Sequence, residues 1–183
     1  IDAGHFKAEI TPYLVDEYLP DLKTGEVKHR QRLAEHDEGA RADVTVQSLA
    51  KLKPVFHAKG SVTPGNASQM SDGAAAVLLV SEKILKQFNL VPLARFCSFA
   101  VAGVPPEIMG IGPVAAIPKA LKLAGIAEHQ LDWIELNEAF AAQALAVLKD
   151  VSLDPSKINP LGGAIALGHP LGATGAIRTA TLV

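Results

Sequence analysis

The rhythm of apolar and polar positions changes once along this chain, near residue 70. From Asp72 onward short apolar runs alternate with amphipathic stretches. "GAAAVLLVSE", from Gly73 to Glu82, holds a continuous apolar run, the pattern of a strand buried on both faces, and "SEKILKQF" follows as a short helix beginning at Ser81. "LARFCSFAVAGV" (93–104) reads as the next strand. "GPVAAIPKALKLAGI" (112–126) reads as a helix with Pro113 in its first turn and Gly125 past its end, although Pro118 obscures where it begins. "LDWIEL" (131–136) reads as a strand and "EAFAAQALAVLKD" (138–150) as a helix of strong formers. "GGAIAL" (162–167) reads as a short strand, "GHPLGATG" (168–175) as a tight loop, and "ATGAIRTATLV" as the start of a last helix. Strands alternating with helices predict an α/β layer architecture. Residues 1 to about 60 read differently, as polar and loop-rich, with "KHRQRLAEHDEGARAD" forming a solvated charged face. There is no tandem repeat and no low-complexity linker.

Composition narrows the function classes. With 183 residues, 49% hydrophobic and 20% charged, the chain can bury a real core as one domain or two small ones. Seventeen basic residues against 19 acidic ones leave a net charge of -2, which offers no general attraction to nucleic acid or to an anionic membrane. The single cysteine, Cys97, excludes an internal disulfide framework and a cysteine-rich zinc site and fits a reducing compartment. No metal site is expected. No apolar run reaches the roughly 18 residues of a membrane span, and no signal peptide is visible, so the expected location is cytoplasmic, or the mitochondrial matrix or peroxisome in a eukaryote. The chain opens at Ile1 without a methionine and closes inside a helix-like run with no capping glycine. It therefore reads as an excerpt from a longer protein.

Two turns in the apolar half carry candidate chemistry. In "IELNEAFAAQ", Asn137 sits where a strand gives way to a helix. It can serve as an N-cap, with Glu138 suiting the positive helix end, or present its carboxamide to a cleft at the sheet's carboxyl edge. In "GGAIALGHPLGATG", His169 stands among five glycines and Pro170. The spacing matches neither a P-loop nor a dinucleotide fingerprint, so a phosphate cradle is rejected. The histidine is either structural or a base: a nearby helix N-terminus disfavours imidazolium and favours the neutral ring, and the rigid flanks leave room beside it for substrate.

Taken together, "GSVTPGNASQMSDGAAAVLLVSE", "ELNEAFAAQALAV" and "INPLGGAIALGHPLGATGA" resemble the thiolases, the acyl-CoA C-acyltransferases that make or cleave 3-oxoacyl-CoA. The three signatures stand in family order, and the similarity runs through the whole chain. The resemblance implies a layered α/β/α/β/α fold, present in part. Residues 1–70 would be part of the CoA-facing loop domain, 71–92 the end of the N-terminal half, and 93–183 the C-terminal half up to its final cysteine motif. It implies that His169 activates a nucleophilic cysteine and then donates to the thioester oxyanion, and that Asn137 positions a water in the same oxyanion hole. Ser68, Ala139 and Phe140 would line the pantetheine tunnel. Arg41, Ser48 and Phe56 would meet the CoA nucleotide, and Met109 the acyl group.

The implied partners are CoA and acyl-CoA as substrates, with no permanently bound cofactor and a homodimeric or homotetrameric full-length protein. Thiolytic cleavage and acetyl-CoA condensation through an acyl-cysteine share all these motifs. A non-catalytic acyl-CoA or lipid-binding protein of the same shape is the alternative. Neither family cysteine is in this chain, and Cys97, on a predicted strand without a glycine loop, is expected to be a small buried residue. The chain alone is therefore expected to be inactive. Departures from the common pattern are small: Pro160 and Leu161 follow Asn159, Thr174 stands where serine is frequent, and Ile177 precedes Arg178.

Overall fold

The computed structural model describes residues 1–183, which divide into two compact units, Ile1–Glu38 and Gly39–Val183. The first unit is built on a β-hairpin, β1 (Tyr13–Pro20) antiparallel to β2 (Val27–Ala34), in register from Tyr13 opposite Ala34 to Pro20 opposite Val27. The expected loop-rich, solvated stretch is thus corrected in part: residues 27–34 are strand. The hairpin is held by polar cross-strand pairs in place of an apolar face, which is why hydropathy did not reveal it. Glu17 receives both Arg30 and Arg32, Asp16 accepts from His29 (2.7 Å) and Gln31 (3.1 Å), and the Tyr18 ring stacks on the opposite His29 at 4.8 Å. The two guanidinium hydrogen bonds, Arg30 first, hold the Glu17 carboxyl below the usual carboxylate range. At the turn, Asp21 accepts from the Lys23 and Thr24 amides, and Gly25 takes a φ of +75° that a side chain would resist.

In the second unit, α1 (Val46–Leu49) is a single turn closed by a capping box between Thr45 and Ser48. Helix α2 (Glu82–Gln87) begins after Ser81, whose hydroxyl accepts from the Ile84 amide, as expected. Helix α3 (Gly112–Ala124) has Pro113 in its first turn and ends at Gly125 in the left-handed region, φ +71°. It runs through Pro118 without a break. Helix α4 (Ala141–Asp150) buries Ala144 and Val147, three residues apart on one face. These join Leu136, Val151 and Leu153 in the core, packed by Val114 and Ile117 of α3 and by Ile134 and Ile158. Fully buried Val147 is its centre.

The predicted strands fare unevenly. Residues 74–80 and 93–104 join no ladder, and Leu78, Leu79, Phe96 and Phe99 are exposed. A strand is completed by a hydrogen-bonded neighbour, and none within this chain lies beside either segment. Cys97, expected to be buried, is exposed for the same reason. In "LDWIEL", Ile134 makes a parallel bridge to Ile158, with the Ile134 amide donating to the Lys157 carbonyl (2.9 Å) and the Asn159 amide to the Ile134 carbonyl (2.8 Å). The expected strand at "GGAIAL" is a helical turn instead, α5 (Ala164–Leu167), followed by α6 (Thr174–Leu182). Positive φ at Gly162 (+110°) and Gly168 (+96°) bends the chain at both ends of α5, so this apolar run curls where a strand would extend. No helix is long and apolar enough to cross a membrane.

Candidate active site

The site is assembled at the ends of two neighbouring segments, 134–140 and 158–169. Asn159 joins them. Its backbone is left-handed at φ +46°, ending the pairing that began at Ile158, and its side chain takes over. Oδ1 accepts from the Leu136 amide (2.9 Å) while Nδ2 donates to the Leu136 carbonyl (2.8 Å). One carboxamide thus substitutes for another ladder residue and fixes the chain just before Asn137.

Asn137 is no N-cap: α4 starts four residues later, after Phe140. Its carboxamide instead lies beside the imidazole of His169, Nδ2 at 3.4 Å from Nε2, and its Oδ1 is buried with no hydrogen-bond partner. An unpaired buried carbonyl oxygen costs about 1–3 kcal/mol unless another donor reaches it.

His169 is held from three sides. Its amide donates to the Gln69 carbonyl (3.1 Å), its Nδ1 lies 2.6 Å from the Thr174 hydroxyl, and Pro170 stiffens the chain after it. Gly168 could carry no side chain, because a Cβ there would sit 2.1 Å from Ser71 Oγ, and its φ already favours glycine. The loop 68–71 therefore lies directly on the histidine loop.

Two carboxylates, Glu138 and Glu135, brace the segments that bear this pair. Glu138 accepts from the Ile165 amide at the start of α5 and from Asn159 Nδ2, both at 3.3 Å. A Cβ on Gly163 would fall 2.0 Å from its carboxyl, so only glycine lets the carboxylate settle there. Arg178 of α6 donates to Glu135 (2.9 Å) and to the Gly162 carbonyl (3.2 Å), and the Trp133 indole donates to Glu135 (2.7 Å). With side chains only 11% and 5% exposed, Arg178 and Glu135 form a buried ion pair tying α6 to the segment that bears Asn137.

Of the other residues anticipated, Ser68, Phe56, Ala139 and Phe140 come together. The Ser68 amide donates to the Ala139 carbonyl (2.9 Å), Ala67 bridges Phe140, and Phe56 meets Phe140 edge-on at 5.8 Å. Arg41 and Ser48 bond elsewhere. Arg41 pairs with Asp43 (3.1 Å), Ser48 closes the cap of α1, and both are exposed. Met109 is 78% exposed, next to Gly110, whose missing Cβ leaves room for Gln143. Thr174, Glu138, Asn159 and the Glu135–Arg178 pair were not anticipated as site residues. Glu138 and Thr174 were within reach, one beside Asn137 and the other five residues past His169.

Comparison with known proteins finds thiolase similarity over nearly the whole chain. Residues 1–83 match the model for "Thiolase, N-terminal domain" and residues 90–183 that for "Thiolase, C-terminal domain". The 3-ketoacyl-CoA thiolase of Bacillus subtilis (strain 168) is 50% identical over 182 residues, which are 98% of this chain and 46% of that protein. The crystal structure of the Bacillus anthracis acetyl-CoA acetyltransferase superposes with a TM-score of 0.91 at 44% identity, over 99% of this chain and 43% of that one. Human mitochondrial 3-ketoacyl-CoA thiolase in complex with CoA gives 0.82 at 46% identity, over 99% and 42%. The chain spans less than half the length of these relatives.

Proposed function

The chain belongs to the thiolase family, and from that premise we propose that it supplies the base and oxyanion side of an acyl-CoA C-acyltransferase active site. The observation carrying this reading is the pairing of His169 Nε2 with the Asn137 carboxamide at 3.4 Å, beside a buried acceptor without a partner.

The chemistry follows from proton accounting. His169 takes the proton of a cysteine thiol that this chain does not carry: the S–H bond breaks, an N–H bond forms, and the thiolate becomes the nucleophile. Attack on the acyl carbonyl moves an electron pair onto its oxygen. The new imidazolium N–H can then donate to that oxyanion. A water whose one O–H is accepted by Asn137 Oδ1 has its other O–H free for the same oxygen. Each such donor contributes about 2.7 to 4 kcal/mol to the transition state. The substrates are CoA and 3-oxoacyl-CoA, cleaved by thiolysis or formed in the reverse condensation. Pantetheine passes Ser68, Ala139 and Phe140, a reading supported by the mutual contacts of the segments that bear them, with Phe56, edge-on to Phe140, on the nucleotide side; binding of CoA itself is supported by the CoA complex of the human relative. Arg41 and Ser48 meet the nucleotide, Met109 the acyl chain, and the working assembly is a homodimer or homotetramer.

The test is acetoacetyl-CoA thiolysis by the full-length enzyme. His169→Asn should lower kcat at least about 10³-fold with KM nearly unchanged, since base assistance contributes about 10² to 10⁴. Asn137→Ala should cost less, because its contact runs through water. The 183-residue chain alone should turn over nothing. A His169→Asn enzyme keeping more than a tenth of wild-type kcat would sink the reading.

A further inference from the structure

Thr174 looks at first like a helix-start residue, and a cap role is unnecessary there, because Ala173 occupies the cap position of α6. It is nonetheless buried, 8% exposed, with its hydroxyl 2.6 Å from His169 Nδ1 and 2.9 Å from the Pro170 carbonyl. A threonine hydroxyl has one proton to donate, and a neutral imidazole has one N–H. On the far side of the ring the Asn137 amide nitrogen, which can only donate, faces Nε2. Nε2 must therefore accept, Nδ1 must carry the ring proton, and the Thr174 oxygen must receive it. The hydroxyl proton is then left for Pro170, whose carbonyl stands 2.9 Å away. This single arrangement gives one donor and one acceptor to each bond running from Asn137 Nδ2 through the His169 ring and the Thr174 hydroxyl to the Pro170 carbonyl.

We propose that Thr174 is a positioning residue that fixes His169 in the Nδ1–H tautomer, so that the bare Nε2 faces Asn137 and is the atom that takes the thiol proton. The inference rests on the base role proposed above for His169. The device is rigid because its parts are covalently close. Pro170 follows the histidine directly, and Thr174 lies four residues beyond it on the first turn of α6. That helix is in turn tied to the strand end bearing Asn137 by the Arg178–Glu135 pair. A ring held at Nδ1 by an acceptor gains in the imidazolium state too, because that N–H stays bonded while Nε2 donates to the oxyanion.

The test uses the full-length enzyme with 15N-labelled histidine, the His169 signal being assigned by its loss in His169→Asn. In wild type the neutral ring should carry its proton on Nδ1. Thr174→Val keeps the shape and removes the acceptor; it should lower kcat at least about 10-fold with KM changed less than about 3-fold, and should lower the fraction of neutral ring protonated on Nδ1. Thr174→Ser keeps the oxygen and should stay within about 3-fold of wild type with the tautomer preserved. A wild-type ring protonated on Nε2, or a Thr174→Val enzyme with unchanged kcat, overturns the proposal. The tautomer in wild type decides even if the valine variant fails to fold. Loss of activity in His169→Asn without loss in Thr174→Val sinks only the role of Thr174, whereas activity retained in His169→Asn removes the base itself.

Discussion

Removing one member of the Arg178–Glu135 pair should harm the fold far more than removing both. Arg178→Met leaves the Glu135 carboxylate, 5% exposed, with the Trp133 indole as its remaining donor, and leaves the Gly162 carbonyl without its 3.2 Å partner. Stranding one charge of a buried pair costs about 3–5 kcal/mol. Replacing both, as Glu135→Leu with Arg178→Met, strands no charge. What remains is the Gly162 carbonyl, about 1–3 kcal/mol if fully desolvated, and near the lower figure here because Gly162 is only half-buried. Trp133 loses its acceptor but, at 36% exposure, can turn to water. The double variant should therefore sit about 1–2 kcal/mol below wild type and above the single variant. Equilibrium urea unfolding of the 183-residue chain measures this, followed by the fluorescence of Trp133, the chain's one tryptophan, whose indole donates to Glu135. If Arg178→Met costs under about 1 kcal/mol, or the double variant is no better than the single one, the pair does not tie α6 to the Asn137 segment as argued.

Gly163→Ala is expected to destabilise by about 1–3 kcal/mol in the same unfolding assay: the backbone there is extended and tolerant, but the new methyl would push the Glu138 carboxylate off the Ile165 amide and Asn159. An unchanged midpoint would mean that the carboxylate is not anchored there. The hairpin of the first unit should respond to acid. Glu17 titrates below its ordinary range because Arg30 and Arg32 donate to it, so its contribution is present at neutral pH and is lost as pH falls through that lowered value. Chemical shifts of Tyr13–Pro20 should drift toward random coil in that window, and Glu17→Gln should abolish the pH dependence; a hairpin insensitive to acid would contradict the pairing.

Much was legible in the one-dimensional sequence because the chemistry involved is local. Ser81 before an amphipathic run, Pro113 near a helix start and Gly125 after its end act within a turn of backbone, and each lies where the sequence places it. His169 and Asn137 stood out as candidates for the same reason, since each sits in a short motif of constrained backbone. What tertiary structure alone decided is everything that depends on a partner far along the chain. Residues 74–80 and 93–104 have the composition of buried strands, yet a ladder needs a neighbour, and hydropathy names none. "GGAIAL" became a helical turn because Gly162 and Gly168 bend the chain and because Glu138, 27 residues before Ile165, supplies an acceptor for the Ile165 amide. The charged hairpin escaped because it is held by polar side-chain pairs across the strands, 13 to 15 residues apart. The same holds for the role of Asn137. Local sequence favoured a cap over a carboxamide facing a cleft, yet α4 starts beyond Phe140 and the fold sets the ring of His169, 32 residues away, beside the carboxamide. A sequence records which groups can donate and accept; only the folded chain determines which of them meet.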